Sequence, residues 1–318
     1  MLYSILWIIL SILWNVSLGH RDIGCPTEES IAPQCICKNL GNGPMMLCSN
    51  VMNAQELIAP IKATDSLDMF SLGIIDSTLM YIPSKLFIDT NYAKIRFANS
   101  QLMALSDADL AFEGLEDTLE EIRASGANYI TTWDWSQLRN HRKLHLIDIY
   151  MISMYSLDQK LPSWPNLRHF GLGQAEISFI HPEAFRELKS LVNINLDHNE
   201  ITEMERTMFP DLAEDLYHID LSRNLLEVLP VDMFKNMPSL KEVYLRDNKF
   251  TTLNEDTYLW PLENLQTFDV SGNEFRCDCR LEWMVKKKKP LWFMGNCTVP
   301  MPLKDVPLRN LNPKNLYC

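Results

Sequence analysis

From residue 191 onward, apolar residues return in a fixed order. "LVNINLDHNEI" (191–201), "LYHIDLSRNLL" (216–226), "LKEVYLRDNKF" (240–250) and "LQTFDVSGNEF" (265–275) share an L-x-x-L-x-L-x-x-N-x-L pattern of apolar positions around one asparagine. Those asparagines, Asn199, Asn224, Asn248 and Asn273, stand 24 or 25 residues apart. Alternation through the L-x-L segment predicts a short strand with one buried face. A period of this length predicts a stack of like units, none able to bury its apolar side alone.

The same frame runs upstream with different residues in the asparagine slot. "LRHFGLGQAEI" (167–177) has Ala175 there, "LHLIDIYMISM" (144–154) has Ile152, and "LEEIRASGANY" (119–129) has Ala127. "YAKIRFANSQL" (92–102) and "MFSLGIIDSTL" (69–79) offer Ser100 and Ser77. An asparagine side chain both donates and accepts, so it can satisfy backbone groups left open where the chain turns. Alanine and isoleucine cannot, which predicts a first half less regular and more easily opened than the second. A second periodicity follows the slot by ten residues: Phe87, Phe185, Phe209, Phe234 and Tyr258. Phe112 arrives two residues late, Trp135 two early, and Leu161 replaces the aromatic once. These rings are expected to stack as a column inside the outer wall. Trp135 belongs to it, and for the Trp133-Asp134-Trp135 segment core packing is the expectation, with an exposed Trp133 at a contact site as the alternative.

The motif resembles the leucine-rich repeat family. That resemblance implies an α/β fold, a horseshoe solenoid with a parallel sheet on its concave side, here of about nine repeats over residues 67–275. Such a stack exposes apolar core at both ends and needs lids.

The eight cysteines fall at the two ends, Cys25, Cys35, Cys37 and Cys48 in one group and Cys277, Cys279, Cys297 and Cys318 in the other. Each group of four permits three pairings. A zinc site favours a longer spacer than the single residue between Cys277 and Cys279, so staples are expected rather than metal or redox chemistry. The repeat family carries cysteine-rich caps, and that resemblance implies an N-terminal cap over 20–66 with Cys25–Cys37 and Cys35–Cys48. It implies a C-terminal cap over 276–318 with Cys277–Cys297 and Cys279–Cys318, and Trp283 on a helix covering the core. The Cys-Pro start, the Ile-x-Pro before Cys-x-Cys and the closing Cys-Ser-Asn-Val also resemble a group of arthropod secreted proteins. That group is similar to the non-catalytic leucine-rich subunit of oplophorus-luciferin 2-monooxygenase. Membership implies a role in binding or stabilising a partner, not turnover.

Charge and termini restrict the role further. The run "LYSILWIILSILW" followed by Val16-Ser17-Leu18-Gly19 reads as a secretory leader over 1–19, cleaved after Gly19. No second long apolar segment is present, so no membrane span is expected. A formal charge of −12 disfavours nucleic acid as a partner. No H-E-x-x-H, G-x-S-x-G or phosphate-loop pattern occurs, and no catalytic residue or cofactor is expected. Asp107-Ala108-Asp109 has too few oxygens for calcium and reads as a solvated turn.

Attention therefore moves to the strand residues of the concave side. Between the fourth and sixth repeat positions lie Gly73, Arg96, Arg123, Asp148, Gly171, Asn195, Asp220, Tyr244 and Asp269, basic early and acidic late. Arg96, Arg123, Asp148, Asn195, Asp220, Arg223, Tyr244 and Arg246 are the candidate partner-binding residues, since a bipolar strip suits a protein ligand and Tyr and Arg are enriched at binding hot spots. His145, His169, His198 and His218 flank the strands and read as surface imidazoles. Lys286 to Lys289 read as a solvated basic face. Asn296-Cys297-Thr298 is a glycosylation sequon. The expected function is a secreted, non-enzymatic protein-binding module, the alternative a matrix or receptor-type module that binds glycans or a cell-surface receptor.

Overall fold

The computed structural model describes residues 24–126 and 133–318. The leader and the Ala127 slot lie outside them. Twelve strands form one open sheet whose spatial order follows chain order. They are β1 (Cys35–Asn39), β2 (Pro44–Ser49), β3 (Asp68–Ile75), β4 (Asn91–Ala98), β5 (Glu121–Ser125) and β6 (Leu146–Tyr150). Then come β7 (His169–Gly173), β8 (Asn193–Asn195), β9 (His218–Asp220), β10 (Glu242–Tyr244), β11 (Thr267–Asp269) and β12 (Trp292–Met294). β1 and β2 form an antiparallel hairpin, and every later neighbour is parallel.

Register aligns the core row. Leu72, Ile95, Ile122, Ile147, Phe170, Ile194, Ile219, Val243, Phe268 and Phe293 are mutual partners across the sheet, and all are buried. Because side chains alternate along a strand, the residues on either side of each must face the concave surface. Behind the sheet stands the aromatic column. Phe87 meets Phe112 at 5.8 Å and Phe185 meets Phe209 at 5.6 Å. At the coil that has Leu161, Trp164 and the strand residue Phe170 fill the gap, lying 6.5 and 5.8 Å from Trp135. Trp133 packs into the core, which sets aside the alternative of an exposed contact site. It is buried against Trp135 at 5.6 Å, and its indole N–H donates to Leu102 O.

The asparagine slots act as ladders between coils. Asn199 Oδ1 accepts from the amides of Ala175 and Ile177, while its Nδ2 donates to Leu172, Leu196 and Asp197 carbonyls. Asn224, Asn248 and Asn273 each accept from one amide of the preceding coil and donate to three carbonyls. Ser77 and Ser100 are a shorter version: Val51 N donates to Ser77 Oγ and Ser77 N to Ser100 Oγ.

The first half is held together by other means. β3 and β4 run eight residues each and pair over seven positions, whereas β8 to β11 are three residues long. Where the slot holds Ile152, main chain substitutes for side chain: Ile152 N donates to Gln174 O and Met154 N to Ala175 O. Longer strand ladders replace the missing amides.

Both ends of the stack are covered. Cys25 is bonded to Cys37 and Cys35 to Cys48 across the β1–β2 hairpin, with Ile31, Leu57 and Ile61 buried beneath. At the other end Cys277 is bonded to Cys297 and Cys279 to Cys318. Trp283, on the short helix Glu282–Val285, donates its indole N–H to Leu253 O at 2.8 Å and packs against the core. The last cysteine-rich segment also supplies β12, so the sheet continues into the lid.

Candidate partner-binding surface

The concave row is set by backbone register. Gly73, Arg96, Arg123, Asp148, Gly171, Asn195, Asp220, Tyr244 and Asp269 pair in succession, and Met294 of β12 extends the row. Side by side does not mean equally available. Asn195 Oδ1 accepts from Asp197 N, Asp220 Oδ1 from Ser222 N, and Asp269 Oδ1 from Ser271 N, at 2.8–2.9 Å. These side chains close the turn that ends their own strands, so one oxygen of each is already committed. Burial raises the Asp220 pKa above the ordinary carboxylate range, against the opposing bond from Ser222. Tyr244 packs on the His218 ring at 5.1 Å, and burial also raises its phenol.

In the first half the row is an ion network built around a residue that sequence reasoning missed. Glu121 is 7% exposed at the start of β5. Its carboxylate receives Lys94 Nζ at 2.6 Å, Arg123 Nε at 3.4 Å and His145 Nε2 at 3.6 Å, with Arg96 at 3.8 Å. Arg123 also reaches Asp148 at 3.3 Å, and Lys94 lies over the Phe70 ring. Arg96 and Arg123 keep about two fifths of their side-chain surface open, so they remain free to meet a ligand. The early repeats are thus less positive than their residue types suggest. The one signal that could have found Glu121 is a carboxylate in register beside three cations.

Burial pushes Glu121 toward the neutral form, but Lys94 and Arg123 outweigh it and hold the pKa below the ordinary range. A depressed carboxylate stabilises the fold above its unfolded pKa, about 4.3, and loses that contribution as pH falls through the folded value. Glu121→Gln is expected to cost about 1–3 kcal/mol at neutral pH, by leaving Lys94 and its neighbours without their counter-charge. Urea unfolding from pH 7 to 3 should show the gap from wild type closing below about pH 4. A gap unchanged over that range contradicts the network.

Beyond the strand ends, one residue per coil turns left-handed just before the slot: Asp76, Asn99, Gly126, Met151, Gln174, His198, Arg223, Asp247 and Gly272, at φ of 48–72°. Arg223 belongs to this row and not to a strand. Its guanidinium meets His198 and lies 3.2 Å from Asp247, which Arg246 also reaches at 3.1 Å. Asp247 therefore ties both arginines together. Each flanking histidine stands beside a carboxylate: His145 by Glu121, His169 by Asp148, His198 by Asp197 and His218 by Glu242. Among the described residues no group of three or more His, Cys, Asp or Glu is placed to hold a metal ion. Of the lysine run, Lys289 donates to the Met284, Val285 and Lys287 carbonyls and Lys287 pairs with Glu255 at 3.7 Å.

A family model described as Leucine rich repeat matches residues 154–213 and 214–275. The chain carries leucine-rich repeats over residues 154–275 and has the leucine-rich repeat fold. This leucine-rich repeat chain is 24% identical over 327 residues to the oplophorus-luciferin 2-monooxygenase non-catalytic subunit of Oplophorus gracilirostris, covering 92% of itself and 87% of that protein. It is 30% identical to Gallus gallus epiphycan over 136 residues, 40% of each chain. It is 28% identical to Macaca fascicularis trophoblast glycoprotein over 142 residues, 42% of itself and 33% of that protein. Thus it spans most of the first relative and less than half of the other two. Among solved structures, human trophoblast glycoprotein matches at a TM-score of 0.57 with 15% identity, over 95% of this chain and 100% of that one. A chain from the octameric complex of latrophilin 3, Unc5D and the leucine-rich repeats of FLRT2 matches at 0.61 with 17% identity, over 92% and 100%. Both likenesses concern the fold. The relative matched nearly end to end is named a non-catalytic subunit.

Proposed function

We propose that this is a secreted, non-enzymatic binding protein whose concave sheet holds and stabilises a protein partner, in the manner of a non-catalytic subunit. The observation that carries the reading is the registered concave row, in which Arg96, Arg123 and Asp148 on β4 to β6 and Tyr244 on β10 present charged and aromatic groups. Such groups on a preformed sheet need little ordering before they bind. Likeness to a non-catalytic subunit over most of both chains supports it. Residues 1–19 are the leader in this reading, and 20–66 and 276–318 are caps whose four disulfides keep the sheet folded outside the cell. Asn296 is exposed on the last cap, a candidate glycan acceptor on the same route.

A second reading, an extracellular matrix or receptor-type recognition module, is supported by the similarity to epiphycan and by the fold shared with the FLRT2 assembly. Affinity purification of the tagged, secreted protein from its source tissue separates the two. A protein recovered in fixed stoichiometry is the expected result. Retention on immobilised glycans, lost with the exposed lysines, is the result that would replace it.

A further inference from the structure

The concave sheet ends in an unusual strand. In β12 only Phe293 enters the core; Trp292 is 61% exposed, with Leu291 at 72% and Met294 at 38%. Trp292 pairs with Thr267 and Met294 with Asp269, so the concave rows finish in an apolar lip. Leaving side chains of this size in water forgoes burial that the fold could otherwise use. No described residue covers them.

The charge around the lip is the reverse of the rest of the chain. Residues 276–318 hold nine basic and three acidic residues, a balance of +6 within a chain of −12. Lys287 and Lys289 are committed to Glu255 and to helix-end carbonyls, but Lys286 and Lys288 are exposed and make no ion pair among the described residues. On the neighbouring strands, Asp269 is buried with Oδ1 bonded to Ser271 N, and Glu242 is held by His218 at 3.0 Å.

The geometry points to Trp292, with Met294, as the anchor for the concave-face partner, and to a partner segment that presents an apolar side chain flanked by carboxylates. This rests on the reading of the concave face as a protein-binding surface and says where on it the affinity lies. A largely exposed tryptophan near uncommitted lysines is the composition of a hot spot with a charged rim. A protein segment fits better than a bilayer, because Trp292 and Met294 continue the concave rows beside Thr267 and Asp269.

The probe is the peptide Glu-Glu-Leu-Phe-Glu-Glu, with its lysine counterpart and anionic phosphatidylserine vesicles as the other arms, titrated against the full secreted chain. Expected is binding of the acidic peptide alone, weakened at least tenfold by Trp292→Ala and by Lys286→Glu/Lys288→Glu together. The lysine pair lies wholly on the surface, so it keeps the test sound should Trp292→Ala misfold. No binding of the acidic peptide by wild type, equal binding by the variants, or Trp292-dependent binding of vesicles in place of peptide each overturns the inference. With the purified native partner, loss on Arg123→Glu but not on Trp292→Ala would sink the anchor and spare the concave reading. Loss on Trp292→Ala but not on Arg123→Glu keeps the anchor and removes the strand row.

Discussion

Asn199→Ala is expected to be among the most destabilising single changes in the repeats, by about 3–5 kcal/mol. Its side chain serves five backbone groups: amides of Ala175 and Ile177, and carbonyls of Leu172, Leu196 and Asp197. All lie where the chain leaves the sheet, away from replacement water, and Asn199 itself is only 7% exposed. A buried donor without its acceptor costs about 1–3 kcal/mol, and two such amides are left by this change. Asn224→Ala removes the acceptor of one amide, Ile201 N, and should cost less. Ser77→Ala should cost about 1 kcal/mol, since a hydroxyl makes fewer of these bonds. Guanidinium unfolding of the three variants checks the order. A loss below 1 kcal/mol at Asn199 would mean that the slot does not hold the coils together.

Trp135→Ala is expected to cost about 3–5 kcal/mol, through a cavity in the aromatic column. Its ring touches Trp133, Trp164 and Phe170, at centroid distances of 5.6, 6.5 and 5.8 Å. This is where the column lacks its regular member and three tryptophans fill the wall together. The contrast is Trp292→Ala, expected within about 0.5 kcal/mol of wild type because that ring lies in solvent. Equal melting shifts for the two would contradict the assignment of one to the core and the other to the surface.

Much of the fold is legible in the sequence because a repeat states its own register. Once Asn199, Asn224, Asn248 and Asn273 are aligned, side-chain alternation alone places Gly73 through Asp269 in one row. Chemistry within the row is harder to read. Glu121 sits two residues before Arg123 and looks like an ordinary solvated charge until parallel pairing brings Lys94 against it. Asn195 and Asp220 look free, yet each bonds an amide two residues on, a short-range use that the repeat pattern does not mark. The regular spacing allows one ring per coil and so left the place of Trp133 beside Trp135 open, whereas the structure buries both, with Trp164 and Phe170 against Trp135 where Leu161 replaces the aromatic. The run Leu291-Trp292-Phe293-Met294 has no asparagine and follows four lysines, so nothing in its pattern announces a strand of the sheet. Arg223 reads as a strand neighbour but is a left-handed turn residue. In each case the competing influence is a contact between coils, which a single-coil motif cannot express.

Ion pairing also decides which variants give a clean answer about binding. Reversing Asp220 breaks its turn to Ser222 and would mix folding with recognition. Arg96 and Arg123 have open guanidinium surface and no backbone duty in their own turns. Arg246 bonds only the carboxylate of the adjacent Asp247. The decisive measurement is therefore the affinity of the co-purified partner for Arg96→Glu/Arg123→Glu and for Arg246→Glu, beside Glu214→Lys on a return segment as control. A concave binding face predicts at least a tenfold loss for the arginine reversals and wild-type affinity for Glu214→Lys. Unchanged affinity for both arginine variants, or a loss confined to Glu214→Lys, would contradict it.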